Sequence, residues 1–115
     1  MSGIARKITQ FSAKEIDYLF QHARRLFKNT FFTVLCVPRQ RDYARVLIVV
    51  AKKVGNAPQR NKIRRQIKAI FYEEKLFESS YDYVMIVYKP AIELSFTDIK
   101  TTMIEMAQKA TIFGK

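Results

Sequence analysis

A single α+β domain is predicted for this chain by three observations. Helical and strand patterns mix along it without strict alternation, in the order helix, two or three strands, helix, strand, helix. Its 115 residues are one domain's worth. No internal repeat, linker or low-complexity stretch divides it, and Gly and Pro number only three each. Helices packed on one sheet are the default for such a pattern.

The elements follow in order. Ser12 can cap a helix whose third position is Glu15, which completes a capping box, and Phe11 and Ile16 are spaced for a hydrophobic staple. Ile16, Leu19, Phe20 and Ala23 then recur at helical spacing, predicting a helix that ends between residues 24 and 27. Residues 30–37 are rich in β-branched and aromatic side chains and read as a strand, followed by a polar turn over 38–43. Residues 45–51 are nearly all apolar, which predicts a central strand covered on both faces and paired with the preceding one in a hairpin with a loop longer than two residues. Gly55-Asn56-Ala57-Pro58 breaks the strand. Asn56 or Ala57 caps a new helix there, with Pro58 in its first turn, and the helix runs to about residue 75. Residues 81–88 form another strand, stopped by Pro90. Ser95 and Asp98 make a second capping box, opening a last helix with Ile99, Met103, Met106, Ala107 and Ala110 on one face.

Lys and Arg total 21 against 10 Asp and Glu, a net charge of +11. Such an excess repels itself in a compact fold and points to a polyanionic partner, most often nucleic acid. The charge is concentrated. Residues 43–72 hold eight basic side chains, Arg45, Lys52, Lys53, Arg60, Lys62, Arg64, Arg65 and Lys68, and no acid. The rest of the chain holds 13 basic and 10 acidic residues. On a helical wheel Ile63, Ile67, Ile70 and Phe71 share the side that faces the sheet. Asn61, Arg65, Lys68 and Tyr72 share the opposite side, with Arg60 and Arg64 at the border. Planar guanidinium forks match phosphate oxygens, and the helix N-terminus adds free N–H groups. Lys52 and Lys53 precede that turn and can close on the same site.

Other classes of function find less support. The lone Cys36 in an apolar run reads as a small buried hydrophobe in a reduced, cytosolic protein, and it excludes an internal disulfide or a Cys-based zinc site. No signal peptide is read at the N-terminus, and no apolar run approaches the ~20 residues of a membrane span. His22 is the single histidine and has neither nucleophile nor carboxylate beside it. It reads as a surface or helix-end residue. Glu73 and Glu74 adjoin, but consecutive helical residues point ~100° apart, so no shared metal is expected. No zinc spacing and no Gly-rich phosphate loop occurs. No catalytic residue, metal site or small-molecule substrate is therefore assigned to the protein itself.

Residues 51–65, Ala-Lys-Lys-Val-Gly-Asn-Ala-Pro-Gln-Arg-Asn-Lys-Ile-Arg-Arg, resemble the signature of the bacterial ribonuclease P protein family, a Ser-Lys-Lys-x-Gly-Asn-Ala run leading into an Arg-Asn-Arg helix. The segment around Phe20, His22 and Arg24 resembles that family's first helix, and Tyr88-Lys89-Pro90-Ala91 its Lys-Pro after the fourth strand. The similarity runs in order along nearly the whole chain. It implies a twisted sheet with a βαβ crossover in the left-handed sense, where general topology rules favour the right-handed one. It also implies a partner RNA subunit that performs metal-assisted phosphodiester hydrolysis, with Mg2+ held mainly by that RNA. Precursor tRNA as the substrate and the bacterial cytoplasm as the setting are likewise implied by the resemblance.

Carried over by position, the implied RNA contacts are Lys52, Lys53, Asn56, Arg60, Asn61, Lys62, Arg64, Arg65 and Lys68. The implied cleft for the single-stranded 5′ leader is lined by Ile16, Phe20, Phe32 and Val34, with Lys89 nearby. Phe20, Phe32 and Tyr72 are the aromatic candidates for stacking on nucleic acid. The sequence departs from the family pattern in places: Ala51 stands for the usual Ser, Leu47 for a common Gly, Lys62 for the motif's second Arg, and Ala23 for a Gly. Ile16 and Val34 stand where aromatics are frequent, and base–aromatic stacking is worth ~1–3 kcal/mol per base. Two other functions fit less of the chain. A general RNA-binding module, such as a ribosomal or assembly protein, shares the basic patch but needs no cleft. A self-sufficient nuclease needs a carboxylate cluster that is not there.

Overall fold

The computed structural model describes residues 3–113. In chain order these form α1 (Ile4–Lys7), α2 (Ala13–His22), β1 (Arg24–Lys28), β2 (Phe32–Pro38), β3 (Val46–Val50), α3 (Ala57–Glu73), β4 (Tyr81–Val87) and α4 (Phe96–Phe113). Short 3-10 turns occupy Lys52–Val54, Leu76–Glu78 and Lys89–Glu93. The strands make one mixed sheet in the order β1-β2-β4-β3. β2 runs antiparallel to β1 and β4, while β3 is parallel to β4.

The expected α+β class holds, with three corrections of detail. First, α2 stops at His22, and Ala23 is already extended with ψ 142°. Leu19, Ala23, Leu26 and Phe27 keep helical spacing, which misplaces the helix end. Pairing of Arg24–Lys28 with β2 overrides that periodicity. Second, β2 and β3 form no hairpin, because β4 lies between them. The 30-odd residues from β3 through α3 to β4 are the crossover that a parallel pair requires. Third, β3 is an edge strand. It packs on the main core through Val46, Ile48 and Val50, its other face is only partly covered at Leu47 and Val49, and parts of its open edge are engaged: the Val46 N–H donates to the Ile8 carbonyl at 2.8 Å, and Arg64 Nη2 to the Val50 carbonyl at 3.4 Å.

Strand alternation divides the apolar side chains between two layers. Phe32, Val34, Cys36, Val46, Val50, Tyr83, Met85 and Val87 are buried in the main core with Ile63, Ile67, Ile70 and Phe71 of α3 and Ile99, Met103, Met106 and Ala110 of α4. Those are the helix faces expected from the sequence; Ala107 is half-buried. On the other face the buried apolar side chains are Leu19, Val37 and Val84, and Tyr18, Leu35, Leu47, Val49 and Ile86 are partly covered. α2 therefore closes one end of that face and leaves the rest open. Both capping boxes expected for α2 and α4 are formed, Ser12 with Glu15 and Ser95 with Asp98. Cys36 is buried as expected, and burial pushes its thiol pKa up.

Arg45 is 1% exposed and ties the start of α2 to the sheet. Its Nη1 donates to Glu15 Oε2 at 2.9 Å and to the Gln10 carbonyl at 3.0 Å, its Nη2 lies 3.4 Å from Asp82 Oδ2, and its main-chain N–H donates to Asp82 Oδ1 at 2.8 Å. The guanidinium stacks over Phe11 at 4.3 Å. Glu15 thus serves both as the cap of α2 and as an anchor for Arg45 and Arg41.

The Ser12 main-chain N–H, followed by Arg41 and Arg45, holds the Glu15 carboxyl at a pKa of about 2, below its ordinary 4.5. A carboxyl with a lowered folded-state pKa stabilises the fold above its ordinary pKa and loses that contribution as pH falls. Urea midpoints are therefore expected to drop between pH 5 and 2.5, and to drop less in Glu15→Gln. Parallel curves for the two proteins would show that Glu15 is not the titrating group.

Candidate nucleic-acid interface

The start of α3 is built by a capping box. Asn56 Oδ1 accepts the Gln59 N–H at 2.9 Å, and Gln59 Oε1 accepts the Asn56 N–H at 2.9 Å. Of the two caps the sequence allowed, Asn56 is the one used, and Pro58 lies in the first turn. The Asn56 side chain keeps its Nδ2 donors outside the capping box. Gly55 has an extended backbone that any residue adopts, with φ 175°. What excludes a side chain is Gln59: a Cβ at position 55 would meet Gln59 Oε1 at 2.5 Å. Gly55→Ala is accordingly expected to cost ~1 kcal/mol by opening the capping box, and to cost much less in a Gln59→Ala background. Thermal unfolding of the four proteins tests this, and equal losses in both backgrounds would contradict it.

Beyond the cap the outward face of α3 is cationic. Asn61, Lys62 and Arg65 are exposed, as are Lys52 and Lys53 in the turn before it. Arg60, Arg64 and Lys68 are half-buried. Arg64 braces α3 to the end of β3 through the Val50 carbonyl and reaches Asn61 Oδ1 at 3.4 Å. Arg60 Nε is buried and has no hydrogen-bond partner among the described residues. Lys52, Lys53, Gly55 and Gln59 line a cavity of about 540 Å³ together with Lys89, Pro90, Ile92 and Glu93. Lys89, assigned from the sequence to the neighbourhood of the cleft, thus joins the two lysines before α3.

Two members of the sequence-defined patch leave it. Arg45 is sequestered in its ion pairs, so the exposed charge rests on the other seven basic side chains. Tyr72 is half-buried and stacks on Phe77, with ring centroids 5.9 Å apart and planes 28° apart.

The sheet face beside α2, where the cleft is expected, is half-open, and its floor differs from the expected one. Phe20 is 52% exposed on α2 and Ile16 is half-buried. Phe32 and Val34 are 0% exposed and lie on the opposite face of the sheet, in the main core. They are off by one residue in strand parity. The residues turned toward α2 are Leu35, Leu47, Val49 and Ile86. The run Phe32–Val37 is apolar at nearly every position, so alternation carries no parity signal there. Leu35 pairs with Val84, and Leu47 with the same Val84 from the other side, which gives the floor its continuity.

His22 ends α2 on the surface, its ring tilted by 36° against that of Tyr18 with centroids 4.4 Å apart. Among the described residues no group of three or more His, Cys, Asp or Glu side chains is placed to hold a metal ion, and no helix is long and apolar enough to cross a membrane.

A mixed four-stranded sheet, helices layered on one face, a partly open opposite face and a crossover helix bearing Arg60, Lys62, Arg64, Arg65 and Lys68 define a small basic α+β protein. Comparison with known proteins makes this specific. The ribonuclease P family profile matches residues 6–111. The ribonuclease P protein component of Halalkalibacterium halodurans is 35% identical over 86 residues, covering 73% of this chain and 72% of that one. That of Bacillus pumilus is 30% identical over 101 residues, covering 87% and 85%. The structure of the Staphylococcus aureus ribonuclease P protein superposes with a TM-score of 0.77 at 25% identity, covering 92% and 97%. The chain belongs to the ribonuclease P protein component family, and so is a subunit of an endoribonuclease complex.

Proposed function

We propose that this protein binds the catalytic RNA of ribonuclease P through α3 and the Lys52–Lys53 turn, and holds the 5′ leader of precursor tRNA in the cleft beneath α2, promoting cleavage to the mature tRNA 5′ end. The observation that carries this reading is the juxtaposition of a cationic helix face with a half-open apolar sheet face on one small domain. Lys52, Lys53, Lys62, Arg65 and Lys68 neutralise phosphates, with Arg60, Arg64 and Lys89 at the border and Asn56 and Asn61 as amide donors. Phe20 and Ile16 on α2, over Leu35, Leu47, Val49 and Ile86, offer an apolar bed for unpaired bases.

The chemistry belongs to the RNA, with Mg2+ held by its phosphates. The cationic face of the protein suits phosphate rather than Mg2+, since it lacks the carboxylate oxygens that ion takes from proteins. The protein contributes binding and positioning: it fixes the leader relative to the RNA active site and lowers the cost of bringing polyanions together. A cytoplasmic, bacterial setting follows from this role.

Tethered hydroxyl-radical probing tests the placement. The buried Cys36 leaves an introduced Lys62→Cys as the reactive thiol. An iron chelate attached there is expected to cut the catalytic RNA, and one attached at Gln21→Cys, on the exposed side of α2, to cut the leader. Cuts in the reverse pattern would overturn the assignment of the two faces.

A further inference from the structure

We propose that Lys28, Thr33 and Tyr88 form a subsite for one unpaired nucleotide of the leader, an inference that rests on the reading of the cleft given above. Lys28 and Thr33 are register partners across β1 and β2, so their side chains leave the sheet on the same face. That face is the cleft face, because Thr33 and Leu35 are alternate residues of β2. Tyr88 extends β4 by one step: its N–H donates to the Phe31 carbonyl at 2.9 Å, and two residues after Ile86 its ring emerges on that same face. Thr33 Oγ1 and Tyr88 OH share a hydrogen bond of 2.6 Å, and Lys28 Nζ lies 5.9 Å from the Tyr88 ring centroid. The backbone beneath is fixed, since Asn29 Oδ1 accepts the N–H groups of Phe31 and Phe32 at 2.8 and 2.9 Å and closes the turn between β1 and β2.

These groups match the parts of a single-stranded nucleotide. Lys28 is exposed and supplies an ammonium for a phosphate. The half-buried Tyr88 ring supplies a face for a base, and the Thr33 hydroxyl fixes the plane of that ring. Val and Phe at positions 33 and 88 would fill the same space on Leu35 and Ile86 without a polar atom, so packing alone does not call for the hydroxyl pair. Lys89 follows directly and opens on the cavity lined by Lys52 and Lys53, so the subsite adjoins the cationic face. A paired base has no free face to stack, which makes the ligand an unpaired ribonucleotide rather than a duplex.

The test uses the reconstituted holoenzyme under conditions that prevent cleavage, with precursor tRNAs whose leaders carry one abasic nucleotide at successive positions, and a leaderless tRNA. In the wild type one abasic position is expected to weaken binding about tenfold. Tyr88→Ala should weaken the intact-leader substrate to a similar extent, abolish the penalty at that one position and leave leaderless tRNA unchanged. Tyr88→Phe keeps the ring and should keep the penalty. Lys28→Gln, an exposed change that leaves the core intact, should flatten the salt slope by about one unit for leader-bearing substrate only. If the wild type is sensitive to the leader but Tyr88→Ala retains every abasic penalty, or Lys28→Gln leaves the slope unchanged, the subsite is wrong and the cleft stands. If the wild type binds leader-bearing and leaderless substrates equally, the cleft reading itself fails.

Discussion

Replacing Arg45 by alanine is expected to lower the free energy of unfolding by about 3–5 kcal/mol. Removing one partner of a buried ion pair leaves the other charge without compensation, and Asp82 is only 1% exposed. Its burial already pushes its pKa up, against the opposing pull of Arg45. The substitution also frees the Gln10 carbonyl and Glu15, so α2 loses its tie to the sheet, and it opens space over Phe11. For a domain of this size the melting temperature should fall by roughly 10–20 °C. Restoring neutrality separates charge from packing: Arg45→Met with Asp82→Asn should cost less than Arg45→Met alone. A loss below 1 kcal/mol for Arg45→Ala would mean that the pair contributes nothing the solvent does not replace.

Loss of charge from the outer face of α3 should have the opposite signature, with binding lost and stability kept. Arg65 is exposed and makes no hydrogen bond among the described residues, so Arg65→Ala should change stability by less than about 0.5 kcal/mol. Its affinity for ribonuclease P RNA should fall about tenfold, the worth of one charge-assisted hydrogen bond, and the salt slope should flatten by about one unit. Adding Lys62→Ala and Lys68→Ala should take the slope down by about three units and the affinity by roughly a hundred- to a thousandfold at low salt. Filter binding from 50 to 400 mM salt reads both quantities. An unchanged slope would remove these residues from the contact surface. Arg64→Ala should differ from Arg65→Ala by also lowering stability, because Arg64 braces the end of β3.

The contrast between Arg45 and Arg65 shows where sequence reasoning reaches its limit. Both lie in the basic segment, and composition treats them alike. Asp82, 37 residues away and brought alongside by the sheet, together with Glu15 and Gln10, separates the structural arginine from the exposed one. Local signals were legible: the capping residues Ser12, Asn56 and Ser95 stand where their helices start, and the apolar faces of α3 and α4 follow from periodicity. Signals that depend on pairing were not. The insertion of β4 between β2 and β3 leaves no trace in either strand, since a strand that is apolar at nearly every position reads the same at an edge as at the centre. The one-residue parity error that put Phe32 and Val34 in the cleft has the same cause. The edge strand β1 was hidden because Leu26 and Phe27 continue the helical spacing of α2. The Gln59 half of the α3 capping box was in plain view three residues after Asn56, and it accounts for Gly55 better than any need for an unusual backbone.

The most direct test of the central claim is precursor-tRNA cleavage at low Mg2+ by a bacterial ribonuclease P RNA, with and without this protein, on substrates with long and short leaders. Stimulation that grows with leader length and then levels off is the expected result if the proposed leader site spans a few nucleotides. Intact binding of the catalytic RNA with no stimulation at any leader length would contradict it, and would leave a general RNA-binding protein on the same fold.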